Sequence, residues 1–490
     1  MSLTSMDFFF FIMVMVMLYY ITPVRYRWGI LLIGSCYFIT KSNGMLPSVV
    51  MLGEIGFTYI VACIFGSPHI GMRMKRWILI VCIFILMALL ILLKEVELKI
   101  TAPVGISYYT LFLISYLCDV YWGTAQAEKN LFRFAEIAGF FPVLISGPIL
   151  RYGSVEKQFY KENYFHFSGM KRGILRILWG IFKKLVIAER IAVIVNEIYG
   201  NYQHYYGLYI WFAVVLFTLQ LYADFSGCMD IVIGVSGLFG IELPENFHYP
   251  FTAKNLSEFW RRWHITLGEW LRDYVFYPIL KSQLWQVYGT VLKRKFGKKY
   301  GKKIPVWTAL LISWFLIGAW HGGGWNYIFG VGIFMGVSII LGEAFQPLFT
   351  IVIARLKIRT ECFSWRLFQA IRSSLLFVFG NSFFRAENLE QGFSLWKQAF
   401  ALWNPWILFD GSILGLGLNA KNINVLLAAL GILAAGSVTG LYLKRPISEW
   451  LEEQNYIFQW TVVLVGFFVV MTYGCYGSGY NAQDFIYAGF

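Results

Sequence analysis

An all-α polytopic membrane protein is the fold class that the sequence predicts, and three observations predict it. The chain has 490 residues, of which 58% are hydrophobic and only 14% are charged. Its mean hydropathy is +0.61, and its apolar residues lie in long, nearly uncharged runs. A soluble chain of this length would split into domains with charged surfaces, and this chain lacks the charge to cover them. Because a helix needs about 20 residues to cross the hydrocarbon, the length predicts about 11 spans plus shorter re-entrant or interfacial helices.

The long apolar runs begin near the N-terminus. They cover residues 8–21, 47–65 and 77–93, and another covers 459–473. The first run has no basic residue before it and no small-residue cleavage site after it, which predicts a retained helix and not a secretion signal. No repeat, low-complexity tract or linker divides the sequence. It therefore predicts one membrane domain over 1–490, with a motif-rich core at about 100–345.

The formal charge of +14 is spread over the segments between apolar runs. Arg25 and Arg27 follow the first predicted span, and Arg73, Lys75 and Arg76 follow the third, whereas the segments after the second and fourth are weakly charged or balanced. The positive-inside rule then predicts a multi-pass protein of the cell membrane with its N-terminus outside. Topology explains the basic residues, so nucleic acid is not an expected partner.

A dense basic run covers residues 293–303 and contains seven lysines or arginines. The same rule predicts that this run is a cytoplasmic loop. Its charge can also attract anionic lipid headgroups or an acidic carrier protein.

Two proline-containing segments interrupt the apolar pattern, at residues 102–109 and 140–151. Proline removes a backbone donor and breaks a helix, and carbonyls freed inside a bilayer must be satisfied by protein or water. The segments therefore predict broken helices that line a cavity, with kinked helices as the alternative.

The stretch from Tyr222 to about Leu280 is the densest in polar and aromatic residues. Ser257 is the predicted N-cap of a helix, and Glu258 with Arg262 forms an i,i+4 pair on its surface. One aromatic face is predicted along this helix, formed by Trp260, Trp263, Leu267, Trp270 and Tyr274. Such a helix is too charged to span, so it predicts an element that lies at an interface or enters the protein from one.

Two of the six histidines stand in apolar surroundings. His321 follows Trp320 at the end of an uncharged run and precedes three glycines, and His264 follows Arg262 and Trp263. Intramembrane ionisable groups are costly and mark chemistry or a permeation path. A neutral imidazole can accept a proton from a hydroxyl. The alternatives are a hydrogen-bonded core histidine at 321 and an interfacial anchor at 264; the histidines at 69, 166, 204 and 248 receive no role.

Asp224 is predicted to end a hydrophobic helix and to need a cationic partner. Arg151, Arg261 and Arg262 are the candidates, and the sequence does not choose among them. A buried structural pair and a substrate contact are both open. The seven cysteines show no CxxC spacing, so neither a zinc site nor a disulfide framework is predicted.

Five strings of this sequence closely resemble motifs of the membrane-bound O-acyltransferase family. The first is NFHYPFTAKNLSEFWRRWHITLGEWLRDYVFYP from Asn246 to Pro278. The others are YADFSG (222–227), PVGISYYT (103–110), FFPVLISGPILR (140–151) and GAWHGGGWNYIFG (318–330). The resemblance covers most of the chain in the family's order. It is strongest to the bacterial branch that acetylates alginate or transfers D-alanine to teichoic acid, and the ending Asp484-Phe485-Ile486-Tyr487 looks more like the acetylating members.

This resemblance implies a catalytic role for His321, with His264 as the family's second histidine. The supporting or tunnel-lining residues are then Asp224, Arg261, Arg262, Trp263, Trp320, Asn246 and Arg151. It also implies a ring of tilted helices around a central tunnel. The acyl group, with acetyl favoured, would come from a cytosolic thioester, either acetyl-CoA or a phosphopantetheinyl carrier protein, with no tightly bound cofactor.

The implied acceptor is a hydroxyl of an extracytoplasmic polysaccharide or teichoic acid, reached with an extracytoplasmic esterase-like partner. D-Alanyl transfer from a carrier protein to teichoic acid is the second hypothesis. A transporter or scramblase is the hypothesis from a different class, because broken helices and intramembrane histidines also occur there. A passive scaffold for the partner is a third.

Overall fold

The computed structural model describes residues 1–95, 102–476 and 485–486, and the secondary structure of these residues is helical. One isolated antiparallel bridge joins Phe247 and Trp263. Residues Asp484 and Tyr487 of the C-terminal ending lie outside the described ranges. The prediction of an all-α, multi-pass membrane protein is confirmed by eight helices that are long and apolar enough to cross a bilayer.

These eight helices are Met45–Gly66, Met72–Lys94, Leu208–Leu238, Gln283–His321, Trp325–Ala344, Phe363–Arg385, Ala420–Leu443 and Tyr456–Tyr473. The expected number was about 11 on length alone. Much of the remaining apolar sequence forms shorter helices, such as Met6–Ile21, because glycine and proline end them early.

Contacts group the chain into two compact units, each assembled from separate stretches. The first contains Met1–Ile187, Ala223–Glu245 and Ile432–Phe490, and the second contains Ala188–Tyr222 and Asn246–Gly431. A single membrane domain and a ring around a tunnel stay predictions.

The other helices of the first unit are Met6–Ile21, Arg27–Asn43, Ile106–Trp122, Leu131–Ala138, Phe141–Leu144, Tyr152–Tyr160, Phe167–Ile181 and Ile447–Glu452. Those of the second unit are Glu189–Gly200, Leu256–Trp260, Ile265–Leu271, Tyr277–Lys281, Gln346–Arg355 and Leu389–Ala399. Segments of π-helix cover Phe182–Ala188, Arg272–Phe276 and Ile328–Ile333.

Within the first unit, glycines bring the helix Phe167–Ile181 close to residues 223–238 of the helix Leu208–Leu238. A Cβ atom on Gly180 would lie 2.5 Å from the carbonyl oxygen of Gly227, and one on Gly173 would lie 2.9 Å from that of Gly234. Small residues allow such approach between membrane helices. The approach places the π-helix Phe182–Ala188, which follows Gly180, beside the polar middle of the helix Leu208–Leu238.

The two predicted proline breaks have different structures. At the first, Gly105 takes a φ of 79° and the helix Ile106–Trp122 begins directly after it, so the prolyl segment precedes a helix and does not kink one. At the second, only the short helix Phe141–Leu144 forms and residues 147–150 are non-helical, which confirms a broken segment.

The predicted amphipathic helix around residues 257–274 is wrong as a single helix. Leu256–Trp260 and Ile265–Leu271 are separate helices, because His264 between them has left-handed backbone angles. The N-cap is Asn255, whose side chain accepts from the Glu258 nitrogen, and not Ser257. The predicted aromatic residues therefore do not share one helix face.

Trp263 is instead the centre of a buried aromatic cluster in the second unit. Its ring lies 4.8 Å from Phe377, 5.0 Å from Phe247 and 5.7 Å from Phe259, measured between centroids. Aromatic pairs at these separations stabilise a core beyond their buried area. The cluster fixes the chain immediately before His264.

The predicted loop at residues 293–303 is helical on both sides of one interruption. The range Gln283–His321 is helical except at Gly297, which has a φ of 73°. The long helical segment after this glycine ends at His321.

Candidate active site

His321 occupies the last position of a long apolar helix in the second unit. Its side chain is 2% exposed, and its ring makes edge contacts with Trp320 and Phe384 at 4.9 and 5.3 Å between centroids. The C-terminal end of a helix carries partial negative charge, which favours a cationic imidazole when one forms. The position therefore suits a group that takes up a proton during a reaction.

The glycines after His321 serve two purposes. A Cβ atom on Gly322 would lie 2.8 Å from the Tyr327 ring, so this position must be glycine for Tyr327 to pack there. Gly323 and Gly324 are exposed, and because they have no side chains a bound molecule can approach this turn closely. Part of the close approach to this glycine run is thus made by the protein's own Tyr327.

Asn326 anchors the turn that follows these glycines. Its side-chain nitrogen donates to the carbonyl oxygen of Ala386 at 2.7 Å and more weakly to that of Phe383 at 3.4 Å. Tyr327 in turn meets Phe384 at 5.2 Å between centroids. Sequence reasoning missed Asn326, Tyr327 and Phe384, because only the fold brings the helix Phe363–Arg385 beside His321.

His264 lies in a strained turn between two short helices. Its φ of 47° and ψ of 51° are left-handed, a conformation that residues other than glycine rarely adopt. Strain of this kind persists where the surrounding structure holds it, and it is frequent at functional sites. The side chain is 2% exposed.

Asn246 holds the backbone on the C-terminal side of His264. The backbone oxygen of Asn246 accepts from the Ile265 nitrogen at 3.1 Å, and its side-chain oxygen accepts from the Thr266 nitrogen at 3.0 Å. On the other side of the turn, the His248 nitrogen donates to the Arg262 carbonyl at 2.9 Å. Asn246 is fully buried, so these bonds define the turn without competition from water.

Trp320 brings the two histidines together. Its ring centroid lies 6.0 Å from that of His264 and 4.9 Å from that of His321. The indole contacts both imidazoles and is half-buried. The two predicted catalytic residues and Trp320 thus form one cluster.

Burial lowers the pKa of His264 to about 3. The cause is loss of hydration, which disfavours the charged form of an imidazole. His264 is therefore neutral at cellular pH and can serve as a hydrogen-bonding group, not as a cation.

Neither arginine before His264 is buried in the cluster. Arg261 is exposed. Arg262 donates to Glu258 at 2.5 Å, which confirms the predicted i,i+4 pair, and to the Thr252 hydroxyl at 2.7 Å. Its guanidinium is thereby engaged by Glu258 and Thr252.

Asp224 and Arg151 belong to the first unit. The prediction that Asp224 ends a helix is wrong, because the helix Leu208–Leu238 continues past it. The predicted arginine partners are also wrong: its carboxylate pairs with Lys184 at 2.7 Å, and both side chains are buried. Arg151 precedes the helix Tyr152–Tyr160 as its N-cap residue.

The Lys184–Asp224 pair belongs to a larger buried network. Lys183 pairs with Asp230 at 2.6 Å and donates to the Ser226 hydroxyl at 2.8 Å. The backbone nitrogen of Ile486 donates to the second Asp224 oxygen at 2.7 Å. Two adjacent lysines inside an otherwise apolar stretch were the available sequence signal. Since these contacts satisfy Asp224 with protein groups, they favour the structural interpretation of this residue.

Among the described residues, no three or more histidine, cysteine, aspartate or glutamate side chains form a group that could hold a metal ion. What the arrangement offers chemically is a pair of buried imidazoles beside an exposed glycine backbone. A base, a neutral donor and backbone amides suit transfer of an acyl group to a hydroxyl.

Comparison with known proteins agrees with this chemistry. The family model of the membrane-bound O-acyltransferases matches residues 129–384. A probable alginate O-acetylase of Pseudomonas syringae pv. tomato is 28% identical over 461 residues, covering 89% of this chain and 82% of the relative.

Two further relatives are named for other activities. A peptidoglycan O-acetyltransferase of Helicobacter pylori is 28% identical over 60% of this chain and 56% of the relative. A teichoic acid D-alanyltransferase of Bacillus subtilis is 32% identical over 46% of this chain and 55% of the relative.

Proposed function

This chain belongs to the membrane-bound O-acyltransferase family, and we propose that it transfers an acyl group from a thioester to a hydroxyl of a cell-envelope polysaccharide. The acyl group that we favour is acetyl. Family membership makes the protein an O-acyltransferase embedded in the membrane by several spans. It favours an enzyme over the transporter, scramblase and scaffold hypotheses. The observation that supports the site is the contact of Trp320 with both buried histidines.

His321 is the proposed general base. The acceptor hydroxyl gives its proton to the imidazole as its oxygen attacks the thioester carbonyl carbon. The carbon–sulfur bond then breaks, and the departing thiolate receives that proton from the imidazolium. A positioned base of this kind contributes roughly 10²- to 10⁴-fold to the rate, and the helix C-terminus at His321 stabilises the imidazolium between the two proton transfers.

His264 and the backbone of the Gly322–Gly324 run are the proposed donors to the oxyanion of the tetrahedral intermediate. His264 suits this role better than Arg262, because its imidazole is buried beside Trp320 whereas Arg262 is engaged by Glu258 and Thr252. A preorganised donor in a dry site stabilises developing charge more than the same donor would in water.

An acetyl donor is favoured by the alginate and peptidoglycan O-acetylating relatives. The donor would be acetyl-CoA in the cytosol and would bind as a substrate, with no resident cofactor. A second candidate is D-alanyl transfer from a phosphopantetheinyl carrier protein to teichoic acid, and the D-alanyltransferase relative supports it.

The acceptor and the esterase-like partner are proposed to lie outside the cell, with the N-terminus on the same side. The placement of basic residues supports this orientation. Donor and acceptor then reach one site from opposite faces of the membrane, and holding them together converts their encounter into a positioned attack.

The test is transfer of labelled acetyl from acetyl-CoA, and in a parallel reaction of labelled D-alanine from its carrier protein, by the purified full chain. We expect His321→Ala to lose at least about 10²-fold in rate while keeping its melting temperature. His166→Ala is the matched control, since His166 is exposed and should leave the rate unchanged.

Full activity of His321→Ala would remove this residue from the mechanism. Turnover of the D-alanyl donor alone would replace acetyl transfer with the second candidate. Turnover of neither donor in the presence of an envelope polysaccharide would contradict both.

A further inference from the structure

The basic segment forms the tip of a helical hairpin in the second unit. Gly297, with its φ of 73°, separates a first arm, residues 283–296, from a second arm, residues 298–321. A residue with a side chain is strained at this angle, whereas glycine adopts it freely. The glycine therefore reverses the chain direction between the two arms.

Contacts between the arms show that they pack side by side. The indole nitrogen of Trp285 donates to the Pro305 carbonyl at 2.9 Å. A Cβ atom on Gly301 would lie 2.6 Å from the Leu292 carbonyl oxygen, so the backbones nearly touch close to the tip. The hairpin is a packed element and not a loose loop. On the second arm, Lys303 pairs with Glu343 at 2.9 Å.

The tip has charge of one sign only. Its seven cations are Lys293, Arg294, Lys295, Lys298, Lys299, Lys302 and Lys303, and no aspartate or glutamate occurs between residues 283 and 303. The aromatic rings of Phe296 and Tyr300 lie between these cations and are about half exposed. Aromatic and basic side chains in this mixture are typical of the headgroup region of a membrane.

The outer face of the first arm is apolar. Leu284, Val287 and Val291 are 83%, 63% and 55% exposed and recur at helical spacing. The opposite face, with Gly289 and Leu292, is buried against the second arm. The hairpin thus presents an apolar side next to a cationic end, which is the pattern of a helix that lies at a lipid interface.

We propose that this hairpin is an anchor that binds anionic phospholipid headgroups at its tip and acyl chains along its first arm. A lipid surface matches both features at once, whereas an acidic carrier protein would account for the cations but leave the aliphatic stripe uncovered. Because the second arm ends at His321, the anchor also sets the depth of that residue in the membrane. The inference does not depend on which acyl group is transferred.

The test measures lipid affinity by native mass spectrometry of the full chain in detergent, titrated with phosphatidylglycerol or phosphatidylcholine. We expect the wild type to prefer phosphatidylglycerol. The triple variant Lys298→Gln, Lys299→Gln, Lys302→Gln should lose on the order of 10²-fold in that preference, because each cation near an anionic surface contributes a several-fold factor. Lys303 is left intact because of its pair with Glu343.

Two matched variants complete the experiment. A triple replacement of Arg355, Lys357 and Arg359 by glutamine removes the same charge from another exposed basic segment, and it should keep the preference. Replacement of the three tip lysines by arginine should also keep it. Equal affinity for the two lipids, an unchanged glutamine variant, or an equal loss in the Arg355 control would each overturn the proposal, as would tip-dependent binding of an acyl carrier protein without a lipid preference.

Discussion

The side-chain oxygen of Asn246 accepts two hydrogen bonds from Thr266, one from its backbone nitrogen at 3.0 Å and one from its hydroxyl at 2.9 Å. Both residues are buried, and they bracket the left-handed turn at His264. Asn246 is thus a positioning residue, which holds the histidine at one orientation toward Trp320.

Replacing Asn246 with alanine should therefore loosen this turn. The variant leaves two buried donors of Thr266 without their acceptor, and such donors cost about 1–3 kcal/mol each. We expect a lower melting temperature and a lower kcat. Thr266→Val removes only the hydroxyl donor and should have the smaller effect on both. An Asn246→Ala protein as stable and as active as the wild type would show that the turn at His264 forms without the hydrogen bonds of the Asn246 side chain.

Two substitutions of His264 distinguish the contribution of its left-handed backbone conformation from that of its imidazole. Asparagine tolerates the left-handed region, whereas β-branched valine does not. His264→Val should therefore be less stable than His264→Asn by about 1–2 kcal/mol, while both lose acyl transfer. The measurements are chemical denaturation in detergent and the labelled-acetyl assay. Wild-type turnover by His264→Asn would mean that the imidazole has no chemical role.

Stability should depend on pH through His264. Its pKa is lowered to about 3 in the folded protein from an ordinary value of 6.5. Below pH 6.5 the unfolded chain binds a proton at this imidazole that the folded chain does not bind. The contribution of His264 to the free energy of unfolding is therefore complete above this pH and is lost as the pH drops toward 3. The loss approaches about 1.4 kcal/mol for each pH unit.

Melting temperatures of the wild type and His264→Asn test this expectation when they are recorded between about pH 8 and about pH 5, at steps of about one pH unit. The asparagine variant lacks this titration, so its curve should fall less on the acidic side. Parallel curves would assign the acid sensitivity to other groups.

The buried pair of Lys184 and Asp224 should show strong coupling. Lys184→Met leaves a carboxylate buried without its cation, and breaking such a pair costs about 3–5 kcal/mol. The double variant Lys184→Met, Asp224→Leu removes both charges and should recover most of that loss. A double-mutant cycle of unfolding free energies measures the coupling. Additive effects of the two single changes would contradict it.

Gly322→Ala tests the packing behind His321. The new methyl group would meet the Tyr327 ring at 2.8 Å, and that ring touches Phe384, which touches His321. We expect reduced acyl transfer, with partial recovery when Tyr327→Leu is added to make room. Gly431→Ala is the control, because a Cβ atom there meets nothing within 4 Å. Retained activity in Gly322→Ala alone would show that Tyr327 moves without consequence.

Much of the architecture could be predicted from composition and local pattern. The class of membrane protein follows from long uncharged runs, and the break at residues 142–148 follows from two prolines. The single helix predicted around residue 264 was wrong because helical spacing says nothing about the sign of one φ angle. That angle at His264 is held by Asn246, and the contacts that hold it are tertiary.

The partners of buried charged side chains could also not be predicted from the local sequence. Arg151, Arg261 and Arg262 were the partners that the sequence suggested for Asp224, and the sequence did not choose among them. Lys184 takes that place because glycines 180 and 227 let two helices approach closely. The approach of two helices depends on both of their surfaces, and no pattern in either one alone specifies it.

The amino-acid sequence alone determined that this chain crosses the membrane repeatedly, that it resembles acyl-transferring enzymes, and which two histidines are candidates for catalysis. Tertiary structure alone decided that one indole touches both imidazoles, that a lysine pairs with Asp224, and that the basic run is the tip of a packed hairpin. The physical reason is the distance along the chain over which each kind of interaction acts. Hydropathy and helix-breaking act between near neighbours in the chain, whereas contacts between side chains far apart in sequence exist only after the helices have packed.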